Sequence, residues 1–500
     1  MFGVLKLGKL GASMKKAGFN PRALFSASEP GVWYDPSDMS AMYQDAAGTT
    51  PVYMPGQGQV DPPVGLLLDK RLGLARGPER LVNGDFSAGA ANWSVSGNDA
   101  THIATFSGGT LRFQSDTTSP VMLVQQLGAM VVGRWYEITV TVSAWVSGSL
   151  KSDNFVQESL PLASGAGVYK VIGLAAGTTG ALRVLRSSAN VDLTIDSISI
   201  REVLGNHAYQ TTTTSRPTLS GRYNLLTNTR WSGAAAGSPG EAPTGWSYGF
   251  GTASITAVTP VGSDNAIQIT AANTRLFFTQ PFTAAINTTY SISMLVVENT
   301  SMPIAQLLGL TSQPSGSTVA YYINGASATA ISVPSPGAWI ELRLLNGATA
   351  GTPEARFGLG AQGPVTGVVA VARPDVRATN DGVGLPPYQR VVDANTYDTV
   401  GFPLYLKFDG VDDFLQTASI DFSGTDKALV AAAARKLSDA ATGCLVELSS
   451  WGGVSGALSI QAPRTASNNL SAALRDATNV AQYSIDGVAS PSSFVLRAMF

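Results

Sequence analysis

The stretch LVNGDFSAGAANWSV at 81–95 sets an Asn-Gly turn beside a Phe and then a Trp. Residues 224–248, NLLTNTRWSGAAAGSPGEAPTGWSY, repeat that order with an Asn, a Gly/Pro-rich excursion and a Trp. The blocks downstream of each copy decide the fold. After Trp93 the chain runs TLRFQS, MLVQQL, RWYEITVTVSA, YKVIGLAAG, ALRVLRS and LTIDSISI. After Trp246 it runs AIQIT, LFFTQPF, TTYSISMLVVE, WIELRLLNG, EARFGLG and VVAVARPDV. Each block is short, rich in β-branched residues and bounded by turn formers, and the six recur in the same order with similar character. The fold class is therefore all-β: tandem antiparallel β-sandwiches of jelly-roll type, following an irregular N-terminal docking segment.

Composition agrees. Charged residues are 13% of the 500, about half the usual share of roughly 25%. The 53 Gly and 27 Pro supply turns between short strands. A net charge of −2 gives no general attraction to nucleic acid or acidic membranes. Cys444 stands alone, so an intramolecular disulfide framework is excluded. No run is long enough for a helical membrane span. The first 25 residues carry Lys6, Lys9, Lys15, Lys16 and Arg22 without an acid, and Lys and Gly break up any continuous apolar core of a secretion signal.

The expected organisation is a basic, irregular segment at 1–78, a sandwich at 79–203, a linker at 204–221, a second sandwich at 222–378, a linker at 379–402, and the start of a third β-region at 403–500. The third region ends early, so either the chain is truncated or partner chains complete its sheet. The first segment has little period. It cannot easily bury its own Trp33, Tyr34, Met39, Met42 and Tyr43, and is expected to lie against another protein or a neighbouring copy.

No catalytic constellation is visible. His102 and His207 lie far apart in turn-like surroundings and read as incidental surface residues, with no HxxxH or CxxC spacing nearby. Asp412 and Asp413 are adjacent, and neighbours on a strand point to opposite faces, a poor arrangement for a glycosidase pair. Binding is better supported. Strict alternation in RWYEITVTVSAW at 134–145 puts Tyr136, Ile138, Val140, Val142 and Ala144 on one face, and Trp135, Glu137, Thr139, Thr141, Ser143 and Trp145 on the other. A Trp ring can stack on a sugar while Thr, Ser and Glu bond its hydroxyls. The two Trp stand about 33 Å apart at roughly 3.3 Å per residue, too far to grip one sugar together. Trp93 and Trp246 are weaker glycan candidates and read chiefly as packing residues. Asp196 and Asp375 near the ends of the two repeats, with Asp85 or Asn83, offer oxygens for a structural calcium; no other cofactor is expected.

NGDFS…NW…LTIDSISIREV resembles the carbohydrate-binding, galactose-binding-like jelly-roll modules, whose first strand often reads NGxFE and whose last reads DDVSL. The likeness covers 81–203 well and 223–377 more loosely. It implies a calcium joining an N-terminal acidic residue to the aspartate of the last strand; Asp196 takes the latter position, and Ser87 stands where the acid would be. LYLKFDGVDDFLQTA at 404–418 resembles the opening of concanavalin-like, laminin-G-like jelly rolls. GVWYDPSDMSAMYQDAAGTTPV at 31–52 resembles the start of structural proteins of tailed bacteriophages and prophages. That likeness implies a non-enzymatic virion part, such as a fibre, tail, neck or capsid decoration. Such a part is made in bacterial cytoplasm, docks on other virion proteins by its N-terminus and displays its sandwiches to a host-surface polysaccharide. Fibre analogy implies a homo-oligomer, a trimer. The other readings are a polysaccharide-degrading enzyme or its accessory binding part, and a purely architectural spacer.

Overall fold

The computed structural model describes residues 21–499 except 27–28, 54–59, 117–121, 126–128, 158, 178–179, 188–189, 222, 287, 348, 380–387, 394–395, 398–403, 423, 425–428, 436–441, 450–456, 465–468, 476–480 and 490–492. Lys6, Lys9, Lys15 and Lys16 fall outside the described residues. The chain divides into two compact units: Met1–Tyr53 with Pro62–Leu219 and Tyr405–Asp426, and Met54–Asp61 with Ser220–Leu404 and Lys427–Phe500. Among the described residues, no helix is long and apolar enough to cross a membrane.

Each unit is built on a sandwich of two antiparallel sheets, and the two sandwiches share one strand order. In the first, the larger sheet runs Ile103–Ser107, Thr110–Ser115, Val191–Val203, Trp135–Ser147, Gly167–Leu174, with Arg76–Glu79 also paired to Val191–Val203. In the second, the corresponding order is Ser254–Val261, Asp264–Thr274, Val365–Ala378, Thr289–Asn299, Trp339–Leu345, extended by Thr318–Ile323 and Ala326–Ala328. The smaller sheets also correspond. Ser94–Ser96, Met122–Gln125, Leu182–Arg186, Leu150–Ser152 and Leu160–Ala163 match Ser247–Gly251, Leu276–Pro281, Glu354–Leu359 and Leu308–Thr311, the fifth strand having no counterpart in the four-stranded sheet. Inward-pointing residues of alternating strands fill each core: Leu111, Phe113, Ile138, Val140, Leu193 and Ile195 in one, and Ile267, Ile269, Phe278, Ile292, Phe357 and Val371 in the other.

The Asn…Trp stretch is a repeated staple. Asn83 and Asn228 both adopt left-handed backbone, as do Phe86 and Trp231 three residues on. Asn tolerates that conformation because its short amide can bond locally. The Asn83 amide donates to Gly89 O and Ala91 O, each at 2.9 Å; the Asn228 amide donates to Ser232 O at 2.9 Å and Thr244 O at 2.8 Å. Trp93 Nε1–H then donates to Asn83 O at 2.9 Å, and Trp246 Nε1–H to Thr227 O at 3.0 Å. Both indoles are buried, against Phe86 and Trp231 respectively. Gly84 is needed where it stands: a Cβ there would meet the Ile198 carbonyl oxygen at 2.2 Å. A second repeated device lies under the central strand. Tyr136 Oη accepts from Val131 N–H at 2.7 Å, and Tyr290 Oη accepts from Ala285 N–H at 2.9 Å.

The N-terminal segment corrects the sequence expectation. Rather than awaiting a foreign surface, residues 29–53 and 62–75 lie on the outer face of the first sandwich. Met42–Tyr43, Leu66–Leu67, Ala208–Tyr209 and Gln416–Thr417 form a small sheet. Beneath it, Ala41, Leu66, Leu68, Trp135, Ile172, Leu174, Val203 and Tyr209 make a second core. Met42 is fully buried, Tyr43 packs at its edge, and Tyr34 gives its hydroxyl proton to Asn206 O. Trp33 sits beneath Lys70 Nζ, 4.8 Å from the ring centroid, and its N–H bonds Asp69; Met39 is half-buried in the short helix Met39–Ala41. Asp45 ties a tight loop by accepting from Ala47, Thr49 and Thr50 N–H, which lets Ala47 O take the Ile172 N–H at 2.7 Å.

Two stretches read as linkers are built in. His207, Ala208, Tyr209 and Gln210 are buried in the first unit. In the second, Gln389 and Val391 are buried against Asn224 and Thr229. Tyr405–Asp426 groups with the first unit, where Ser215 Oγ–H bonds Asp412 at 2.7 Å. Beyond it, Leu429–Arg435 pairs with Ser493–Met499, and Cys444–Leu448, Leu458–Gln461, Asn469–Arg475 and Ala481–Ala489 form a four-stranded sheet.

Candidate functional site

The residues first expected to meet a glycan are largely committed to packing. Trp135 is 2% exposed, tilted against His207 at 5.4 Å and edge-on to Tyr209 at 5.3 Å under the N-terminal segment. Glu137 is held by Arg76 at 2.8 Å. Thr139 is half-buried between its register partners Lys170 and Ser199. Trp145 does not share a face with Trp135. The pairing skips Ser143, since Ile195 opposes Val142 while Thr194 opposes Ala144, so Trp145 becomes the partner of the core residue Leu193. One extra residue in a strand reverses the facing of every later position. Trp145 is 44% exposed at the end of the sandwich, its Nε1–H given to Gly148 O at 2.9 Å. Trp93 and Trp246 are the buried staples described above.

The two histidines are buried, not incidental surface groups. His102 is clamped between Asp99, 2.8 Å from Nδ1, and Asp116, 2.7 Å from Nε2. His207 Nδ1 accepts the Asp69 N–H at 2.9 Å, and burial, helped by the charge of Arg76, pushes its pKa down to about 3. Of the calcium candidates, Asp85 is exposed and accepts Ser87 N–H and Oγ–H; Asp196 is half-buried where the strand pairing skips it. Asp375 is fully buried and locked to Arg377 by two bonds of 2.6 and 2.5 Å. Among the described residues, one group of three carboxylates converges: Asp409, Asp412 and Asp413, within 4.8 Å of one another. They lie in a turn whose backbone N–H groups at Val411 and Asp412 bond Asp409 Oδ1.

A more suitable surface lies on the outer face of the larger sheet of the second sandwich. Along Trp339–Leu345, Ile340, Leu342 and Leu344 enter the core, so Trp339, Glu341 and Arg343 point outward. Trp339 sits 6.1 Å from the ring of Tyr388, tilted 34°. Glu341 opposes Ser293 on one neighbouring strand and Tyr322 on the other. Arg343 grips Glu341 through Nε–Oε1 at 2.8 Å and Nη2–Oε2 at 3.2 Å, and its guanidinium lies 4.0 Å from the Tyr322 ring centroid. The bond to Glu341 raises the Arg343 pKa. Three aromatic rings and a fixed ion pair thus share one half-buried row, about 13 Å from Trp339 to Arg343 at roughly 3.3 Å per residue. A signal for it was present in the WxExR alternation of 339–343 beside the Tyr321-Tyr322 pair. On the same face of the first sandwich, Arg76 pairs with Glu137 and Arg112 with Asp192.

The fold and these sites define a tandem β-sandwich protein. No family model and no curated protein matches the chain. Among solved structures it is similar to the N-terminal CBM22-1-CBM22-2 tandem domain of Xyn10C from Paenibacillus barcinonensis, at 14% identity over 61% of this chain and 98% of that one, with a TM-score of 0.20. It is also similar to the plant receptor-like kinase ANX1, at 10% identity over 54% of this chain and 84% of that one, with a TM-score of 0.16. Neither likeness identifies a ligand for this chain.

Proposed function

We propose that the protein is a non-enzymatic glycan binder, and that the outer face of its second sandwich carries the site. The observation behind this reading is the row Trp339, Glu341, Arg343 with Tyr322 and Tyr388. Aromatic faces offer flat apolar area to sugar rings, and a pre-formed carboxylate–guanidinium pair offers oriented acceptors and donors to hydroxyls at little ordering cost. Several such faces in a homo-oligomer would bind a polymer through avidity. The role on a tailed-phage virion, with host-surface polysaccharide as the target, rests on the N-terminal sequence resemblance. Docking is then assigned to residues 1–20, because 29–53 and 62–75 are occupied in packing on the first sandwich.

A glycan array probed with the full chain tests the binding reading: retention of a defined neutral glycan class supports it, and a blank array contradicts it. Release of reducing ends from a retained polysaccharide would contradict the non-enzymatic part. Deleting residues 1–20 should abolish virion incorporation while leaving the array pattern unchanged; normal incorporation would defeat the docking assignment.

A further inference from the structure

The outer face of the smaller sheet of the second sandwich carries different chemistry. Arg275 stacks on Phe250, its guanidinium carbon 3.2 Å from the ring centroid, and Arg356 lies over Phe277 at 4.9 Å. The two rings are 5.8 Å apart, edge to face, so two cations are fixed on one aromatic pair. Phe250 is 44% exposed and both arginines are half-buried. Among the described residues neither arginine forms an ion pair. Arg356 Nη1–H donates to Ala361 O at 2.7 Å, and Glu354, two residues along the strand, accepts from Thr311 Oγ1–H at 3.0 Å. Burial first, and the charge of Arg275 second, lower the Arg356 pKa, with the charge of Glu354 opposing them.

The twin sandwich supplies the comparison. Arg183 occupies the place of Arg356, each one residue before a core side chain, Val184 or Phe357. There the fold provides a carboxylate: Arg183 Nη2 meets Asp153 at 2.9 Å, and its Nη1 donates to Asn154 Oδ1 at 3.4 Å. Among the described residues of the second sandwich no acid forms an ion pair with Arg356; Glu354 acts on it through its charge at i−2, and a second arginine stands nearby. Holding two like charges together with only partial compensation costs stability, and a bound anion would offset that cost.

The geometry points to an anion-binding subsite at Arg275, Arg356 and Phe250 that takes the carboxylate of a uronic-acid sugar in an acidic polysaccharide. A guanidinium fork matches a planar carboxylate with two parallel bonds, and the exposed Phe250 ring offers apolar area to the sugar. The site is separate from the Trp339 face, and the experiment keeps the two apart.

The full chain is titrated calorimetrically, at physiological salt, with polygalacturonate, dextran sulfate and neutral dextran, alongside R275Q, R356Q, the double variant and Trp339→Ala. Polygalacturonate should bind tightest, weaken at least tenfold in either arginine variant, and change less than twofold in Trp339→Ala. The charge-keeping pair R275K/R356K guards against misfolding and should fall between wild type and the double glutamine variant. Failure to bind polygalacturonate, or equal binding by the double glutamine variant, overturns the proposal. Stronger binding of dextran sulfate overturns the carboxylate assignment in favour of a sulfate ester.

Discussion

Lowering the pH from 6.5 to about 5 should destabilise the first unit through a single buried group, His207. Its ring is enclosed beside Trp135, and its Nδ1 is spent on the Asp69 N–H, so the folded state holds it neutral down to about 3 while the unfolded chain titrates near 6.5. The folded-state pKa is depressed, so between those two values the unfolded chain binds the extra proton. Stability from this group is therefore complete above pH 6.5 and is lost as pH falls. The loss approaches about 1.4 kcal/mol per pH unit, or about 1.5–2 kcal/mol by pH 5, where carboxylates contribute little. For a unit of this size that is roughly 3–8 °C in Tm. Differential scanning calorimetry of wild type and His207→Gln at pH 6.5, 5.75 and 5 measures it. Gln can still accept the Asp69 N–H but cannot titrate, so its first-unit transition should start lower and move less with pH. Equal pH slopes in the two proteins would refute the reasoning.

Other consequences are equally direct. Asp375→Asn removes the carboxylate that holds Arg377 by two bonds and should cost the second unit about 3–5 kcal/mol, whereas Asp375→Leu with Arg377→Met should recover much of that loss; urea unfolding measures both. Asn83→Ala and Asn228→Ala should each lose about 2–4 kcal/mol, from two amide bonds and a left-handed backbone that Ala resists, with each loss confined to its own unit. The Gly variants, which accept that backbone, should lose less. Removing residues 1–75 would uncover Trp135 and its apolar neighbours, so that truncation should aggregate or melt early, while removal of 1–20 should not; light scattering during a thermal ramp distinguishes them.

Much of the fold is legible because β-sandwich strands advertise themselves by β-branched blocks between turn residues, and here the blocks come twice in one order. The six blocks after Trp93 and the six after Trp246 occupy corresponding places in two sheets. The staple is legible too, since an Asn before a Gly-rich loop and a Trp is a local pattern. Alternation could not reveal the skipped Ser143, which carries Trp145 from the outer face to the core side: a bulge leaves no mark in a period-two reading. The short pairing of Leu66–Leu67 with Ala208–Tyr209 was equally hidden, because two-residue strands have no period and their partners lie far apart in sequence. That pairing buries Trp135 and His207, and it removed the strongest glycan candidate from solvent. The WxExR face was within reach, but Glu341 and Arg343 gain their meaning only when Tyr322 is brought alongside by sheet register.

The central claim is that the second sandwich's outer face binds glycan, and isothermal titration of Trp339→Ala and Tyr322→Ala against a glycan retained by wild type tests it most directly. Each substitution should cost about 2 kcal/mol or more, at least about a thirtyfold loss in affinity, as for an aromatic anchor, while Trp145→Ala should bind like wild type. Wild-type affinity in both Trp339→Ala and Tyr322→Ala would contradict the account.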